Sequence, residues 1–407
     1  MLAALERGHD RQWHTLIDKV WSHKNLRLAL ATVVARKGAP GVDGQTTEAV
    51  AKRAAEEILL IQRLLQEDRY EPRAAWRVWI EKLGSTEKRP LGIPIVRDRI
   101  VQCALLHILE PIFERDFAEG SYGFRPGRSA GQAVAVVERN LAEGYVWVVD
   151  ADLKGYFDSI PQDKLMTRVR EKIADGRVLG LLQAFLKQGV METGKGWEPT
   201  PNGTPQGAVI SPLLANIYLD PLDKEMERKG WKMTRYADDF VIQCRSQAEA
   251  EEVLAEVQSW VKEAGLTLHP EKTRIVSMAE GGSFEFLGWH FERGHKWPRE
   301  KSQQKFKETI RKRTKRSSGA SLPKIISGVN RVVRGWGSYF RGGARTVPTK
   351  LEAWTRMRLR SILRARDNRE GVGRGLDHSR YPNAWFTAHG LISLISITHE
   401  TAAGPAK

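Results

Sequence analysis

A chain of 407 residues, 41% of them hydrophobic and 13 of them tryptophan, is long enough to bury two or three ordinary cores. Its two cysteines, Cys103 and Cys244, exclude a disulfide framework and a cysteine-type zinc site and fit a reducing compartment. No run approaches the ~18 apolar residues of a membrane span, and the first residues carry charge too early for a secretory signal. The formal charge of +16 is concentrated. Phe291 to Glu370 hold 23 Lys and Arg against 6 Asp and Glu, with Trp336, Tyr339, Phe340 and Trp354 interleaved. That composition suits a polyanion-binding surface.

Apolar residues spaced through Trp13, Ile17, Val20, Trp21, Leu26, Leu30 and Val33 predict helix to about residue 35. Residues 37–44 break it, and Thr46 starts a second helix towards Glu67. Residues 76–80 and the Pro- and Gly-containing 88–100 read as a β-hairpin with basic ends, either a plain surface hairpin or an arm over phosphates. A helix over about 101–117 leads to the loop 121–128, and another follows over 129–143. In that loop Arg125 and Arg128 are either solvated turn residues or grips on a nucleic-acid backbone.

From 145 to 160 a strand carries an apolar run that delivers Asp150, Asp152 and Asp158. Asp150, Asp152 and Gly155 match three positions of a calcium loop, but Lys154 and Pro161 fall where two further ligands belong, which excludes one. A carboxylate at a strand end instead aims a rigid ligand into a cleft. The turn Pro205-Gln206-Gly207 leads into a helix starting near Ser211-Pro212, with Ser as N-cap and Pro at N1. Two β-prone runs then meet at Tyr236-Ala237-Asp238-Asp239, a hairpin with adjacent carboxylates at its tight turn. Such neighbours raise one another's pKa unless a cation lies between them, so the pair is either a plain solvated turn or a site for a divalent metal. A helix over 247–264 follows, and Lys272 beyond it is either an exposed lysine or a cation near a reaction centre. Residues 284–291 alternate as a strand, and past Arg293 the basic segment is mostly helical.

Asp152 on a strand beside the Asp238-Asp239 hairpin forms the apparatus of two-metal phosphoryl transfer. With a basic hairpin upstream and a basic segment downstream, the pattern predicts a template-directed polymerase.

Ordered blocks at 37–44, 89–102, 122–127, 152–158, 205–212, 236–239, 265–273 and 286–288, with further stretches at 328–343 and 381–390, carry a resemblance that runs almost end to end. The chain resembles the bacterial group II intron-encoded reverse transcriptase/maturases. The resemblance implies an α+β fold: right-hand polymerase fingers and palm with an antiparallel palm sheet, then a helical thumb or maturase X domain. Its implied divisions are an N-terminal extension and start of the fingers at 1–75, fingers and palm at 76–290, a basic thumb at 291–400, and a tail at 401–407. It implies that Asp152, Asp238 and the Leu153 carbonyl hold two Mg²⁺ ions, which Mn²⁺ can replace, and that Asp239 completes the acidic cluster. Lys82 and Arg89 are implied as fingertip cations on the incoming dNTP, Gln206 and Gly207 as its pocket, and Phe157 as the ring excluding a 2′-hydroxyl. Lys272 is implied near the leaving pyrophosphate.

Lys305, Arg311, Lys312, Arg313, Lys315, Arg316, Arg334 and Arg341 join Arg125 and Arg128 as the implied contacts to nucleic acid. Implied partners are an RNA template and primer, group II intron RNA and target DNA, in the bacterial cytoplasm, with no membrane and with a homodimer left open. No cysteine pair follows Cys244, so the resemblance is to the type lacking a zinc-dependent endonuclease, which needs a primer from elsewhere. Two alternatives remain at this stage: a splicing-only RNA-binding maturase, and a domesticated reverse transcriptase in defence, repair or CRISPR adaptation.

Overall fold

The structure is a computed structural model that describes residues 12–81, 88–371, 373 and 375–399. The chain divides between Ile275 and Val276 into two compact units. The hairpin at 283–292, grouped with the fingers and palm in the sequence reading, therefore clusters with the second unit.

In the first unit, helix is delayed relative to the sequence expectation. Trp13 is extended and bridges to Ile173, and the first helix spans only Ile17–Val20 before His23–Ala35. The reason is Asp175, whose carboxylate accepts from the Leu16 and Ile17 amides at 2.7 and 2.9 Å. Those amides are bound from 158 and more residues away and begin the helix there. The second expected helix breaks at Arg53 into Thr47–Lys52 and Ala54–Gln66. Leu16, Leu26, Ile61, Ile100 and Leu105 are among the residues that close this core.

Two sheets lie in this unit. β1 (Ala75–Glu81) and β2 (Lys88–Ile93) form the expected antiparallel hairpin, and β4 (Val190–Glu192) and β5 (Gly196–Glu198) extend it in the order β2-β1-β4-β5. The other sheet has the order β6-β7-β3-β8, from β3 (Trp147–Asp152), β6 (Lys232–Tyr236), β7 (Asp239–Cys244) and β8 (Arg274–Ser277). β7 pairs antiparallel with both β3 and β6. The helix Gln247–Glu263 packs on β3 and β7, while Ala130–Ala142 covers β6. Covered on both faces, β7 buries the unbroken run Phe240, Val241 and Ile242 rather than alternating.

In the second unit β9 (Ser283–Phe286), β10 (Trp289–Glu292) and β11 (His295–Pro298) form an antiparallel meander. Three long helices follow, Glu300–Arg313, Leu322–Tyr339 and Thr346–Arg366. Ile325, Ile326, Val329 and Val333 recur at helical spacing and meet Phe306, Ile310, Leu359 and Phe386 in a separate core. Among the described residues no helix is long and apolar enough to cross a membrane.

The helix Val96–Glu114 opens with a buried acid. Asp98 accepts from Tyr70 Oη at 2.7 Å and from the Arg73 amide at 3.0 Å, yet burial pushes its carboxyl up to about 6. Between the ordinary value of 3.8 and that figure the folded state holds the extra proton, so this group's contribution is greatest at low pH and is lost as pH rises through the window. Asp98→Asn cannot titrate. From pH 4 to 6 the urea stability of the parent should fall more steeply than that of the variant, by on the order of 2 kcal/mol. Parallel slopes would contradict this reading of Asp98.

Candidate active site

β3 carries Asp152 to its last position, and the β3–β7 register sets it opposite Asp239. β6 and β7 close through the two-residue turn Ala237-Asp238, with Tyr236 opposite Asp239. Asp152, Asp238 and Asp239 thus lie at one end of the sheet. The turn is tight enough to hold Ala237 at φ 61°, in the left-handed region that alanine seldom adopts. Behind it lies Gly123, where a Cβ would come within 2.3 Å of the Ala237 amide nitrogen, so only glycine fits. Burial raises the Asp238 carboxyl above its ordinary range, and the Asp152 charge adds to the rise while Arg89 and Lys272 oppose it.

Lys272 is brought to the cluster by its loop: the His269 amide donates to Asp152 O at 2.8 Å, and Lys272 Nζ donates to Asp152 Oδ2 at 2.5 Å. Asp150, two positions earlier on β3, faces Arg274 at 3.6 Å. Among the described residues no three His, Cys, Asp or Glu side chains are already gathered into a metal cage. The donor chemistry nevertheless fits a hard divalent cation, because the carboxylates of Asp152 and Asp238 offer only oxygen and a lysine cation already sits on the first. Leu153, whose carbonyl is the third expected ligand, is buried next to Asp152 in a bridge to Leu268.

A second group of expected residues is tied together between β2 and the loop that precedes the helix Ser211–Arg228. Arg89 Nε donates to Gln206 Oε1 at 2.7 Å, and Gln206 Nε2 donates to Asp158 Oδ2 at 2.6 Å. The Gly92 amide donates to Gln206 O at 2.7 Å. Gly207 has φ 103°, and a Cβ there would lie 2.4 Å from Gly92 O. The Phe157 ring is buried, edge-on to Phe124 at 6.2 Å and to Tyr156 at 5.7 Å. Phe124 also approaches Tyr236 at 6.4 Å, which links the Phe157 ring to the aspartate hairpin through aromatic contact.

Three expectations need correction. The strand read over 145–160 ends at Asp152, because Gly155 at φ 58° turns the chain into the short helix Tyr156–Ser159. That turn brings Asp158 back to Gln206 and gives it an orienting role that spacing did not reveal. Ser211 is the first helical residue rather than the cap, and its Oγ donates to Pro205 O at 2.9 Å, fixing the Gln206 turn. Arg125 faces inward. Its Nε donates to both Glu114 carboxylate oxygens, Nη1 to the Ala118 and Ser121 carbonyls, and Nη2 to Glu114 O. A buried guanidinium must find its partners inside the protein, so Arg125 builds the loop and does not grip nucleic acid. Arg128 is held by Glu119 at 2.6 Å and lies over the Tyr122 ring.

Lys82 lies outside the described residues. In the second unit Lys305, Arg311, Lys312, Arg313, Lys315, Arg316, Arg334 and Arg341 are all exposed. Arg235 escaped the sequence reading altogether. It is buried beneath the aspartate turn, and a strand arginine among polar neighbours gives no sign of burial.

Gly207→Ala should push β2 away from the Gln206 loop and cost on the order of 1–3 kcal/mol. The thermal midpoint should fall and KM for nucleotide should rise more than kcat falls; a variant with parental stability and KM would remove the close-approach argument.

The family follows from direct comparison. A family model described as reverse transcriptase (RNA-dependent DNA polymerase) matches residues 80–291, and one described as group II intron, maturase-specific domain, matches 303–381. Protein YkfC of Escherichia coli (strain K12) is 34% identical over 350 residues, covering 75% of this chain and 88% of that protein. The group II intron-encoded protein LtrA of Lactococcus lactis subsp. cremoris is 39% identical over 186 residues, covering 46% of this chain and 31% of its own length. A chain of a solved partial Cas6-RT-Cas1–Cas2 complex aligns with 26% identity over 61% of this chain and 43% of that one, at a TM-score of 0.40. With a reverse transcriptase match over half its length and a maturase-specific match after it, the chain belongs to the group II intron-type reverse transcriptase/maturases, which are RNA-directed DNA polymerases.

Proposed function

We propose that this chain extends a primer with dNTPs on an RNA template at the end of the β6-β7-β3-β8 sheet, and that its basic C-terminal unit binds the intron RNA that it helps to splice and mobilise. The observation that supports this most is the β3–β7 register, which sets Asp152 opposite Asp239 with Asp238 at the adjoining turn. Asp152 and Asp238, with the Leu153 carbonyl, are the residues to hold Mg²⁺, and Mn²⁺ offers the same hard-ion chemistry. Two such ions, when bound, would activate the primer 3′-hydroxyl and neutralise the leaving pyrophosphate.

The protein's own groups do the remainder. Lys272, paired with Asp152, would be released to turn towards the leaving phosphates and give a proton where a divalent cation offsets the Asp152 charge. Arg89 and Gln206 face the triphosphate and base, with Asp158 holding the Gln206 amide in one orientation. Phe157, wedged against Phe124 and Tyr156, presents a fixed ring below the sugar and disfavours a 2′-hydroxyl. The exposed basic residues of Glu300–Arg313 and the loop after it supply phosphate contacts in the second unit.

Primer extension on RNA with dNTP and Mg²⁺ tests the reading. Asp238→Ala should reduce extension to background while RNA binding persists. Equal extension by both proteins would sink the polymerase assignment, and binding without extension by the parent would leave only the splicing role. In the same assay Phe157→Ala should raise incorporation of ribonucleotides relative to deoxyribonucleotides by about tenfold or more. An unchanged ratio would deny Phe157 the sugar contact.

Replacing Arg311, Arg313 and Arg316 by Ala should weaken RNA binding evenly across sequences and lower the slope of log K against log salt by about 1 for each phosphate that the protein no longer neutralises. A slope unchanged by all three substitutions would place the RNA elsewhere.

A further inference from the structure

Arg235 lies on β6, three residues before Asp238, and is 1% exposed. A guanidinium has five N–H donors, and here every one is used. Nε donates to Asp223 Oδ1 at 2.7 Å and Nη2 to Asp223 Oδ2; Nη2 also donates to Ser121 Oγ at 2.8 Å. Nη1 donates to Asn216 Oδ1 at 3.1 Å and to the Ala237 carbonyl at 2.8 Å. Its backbone ties the same parts together, because the Arg235 amide donates to Gly120 O and its carbonyl accepts from the Tyr122 amide, each at 2.8 Å. Asn216 reaches the loop as well, donating to Gly123 O at 2.8 Å.

One of these bonds bears on the acidic site. The Ala237 carbonyl belongs to the peptide group whose nitrogen is that of Asp238, and a peptide group is planar. Fixing that oxygen fixes the plane from which Asp238 hangs, at a residue whose φ of 61° an unsupported alanine would tend to leave. Stability alone does not account for the arrangement, since a buried ion pair is often no more stabilising than apolar groups of the same volume. A fork anchored at four points does account for a turn that must hold one shape. A lysine ammonium, a single point, cannot reach Asp223, Asn216 and the Ala237 carbonyl together.

We propose that Arg235, locked by Asp223 and Asn216, is a positioning residue that sets the Asp238 carboxylate for metal binding through the Ala237 carbonyl. The proposal rests on the reading of Asp238 as a metal ligand. It is tested on the full chain, without nucleic acid, by titrating Mn²⁺ and following the free ion by electron paramagnetic resonance, with single-turnover extension as a second readout. Asp238→Ala should abolish the Mn²⁺ site seen in the parent; parental binding by that variant would overturn the metal reading and the positioning role with it.

Arg235→Lys should fold, weaken Mn²⁺ binding by about tenfold and lower kcat by about 10- to 100-fold, with KM for dNTP and RNA affinity within about twofold of the parent. Tyr70→Phe, which loses the bond to Asp98 and touches none of the Arg235 partners, serves as a destabilised control and should leave Mn²⁺ affinity unchanged. The role is overturned if folded Arg235→Lys binds Mn²⁺ like the parent, or if Tyr70→Phe shifts the affinity equally. Should Arg235→Lys fail to fold, Asn216→Ala leaves the ion pair whole and should weaken Mn²⁺ binding about threefold to fivefold, less than removal of a whole supporting residue would; parental affinity in that variant also overturns it.

Discussion

Repulsion between like charges is the constraint on which the first unit turns. Asp152, Asp238 and Asp239 occupy one end of a sheet, and left to themselves they would separate. They are held by two devices of different kinds. The β3–β7 ladder fixes Asp152 and Asp239 by register, and the covalent turn fixes Asp238 beside them. Lys272 offsets part of the charge through its bond to Asp152 and Arg89 through its pull on Asp238, yet burial still lifts the Asp238 carboxyl above its ordinary range. In a site built in this way backbone pairing holds the carboxylates together against their repulsion.

The surroundings answer the same constraint by rigidity. Three glycines mark where backbone presses on backbone: Gly123 behind the Ala237 turn, Gly207 on β2, and Gly203 against the Phe157 carbonyl. Each is a close approach that a single methyl group would break, so the loop 121–125, the aspartate hairpin and the Gln206 loop are held against their neighbours with little freedom. The Arg89–Gln206–Asp158 chain does with hydrogen bonds what these glycines do by proximity.

Much of this was legible in the sequence, and what was not has identifiable causes. The aspartate hairpin and the helix Ala130–Ala142 follow from local period and turn chemistry and form as read, whereas the second arm of the β1–β2 hairpin, expected to stay extended to residue 100, ends at Ile93 and gives way to helix at Val96. The ordered motif blocks carry the family resemblance on their own. Burial of individual cations was not legible. Arg125 and Arg235 are both buried, whereas Arg128 and Lys272 keep exposed surface, because the first two are enclosed with Glu114 and Asp223, acids at separations of 11 and 12 residues that no helical or strand period would pair with them. Asp158 was hidden for another reason: its role depends on the backbone reversal at Gly155, which strand periodicity overruns.

The β3 strand also dictates when the site comes into being. Its partner β7 lies at residues 239–244, and the lysine that meets Asp152 lies 120 positions beyond it. A chain emerging from the ribosome therefore exposes Asp152 long before any strand can pair with it. Until β7 is synthesised the apolar Val148 and Val149 have no sheet to enter, and the aspartate hairpin has no base. Assembly of the acidic cluster is thus a late event in biogenesis, and truncation before Cys244 should leave a fragment for proteases and chaperones rather than a weakened enzyme.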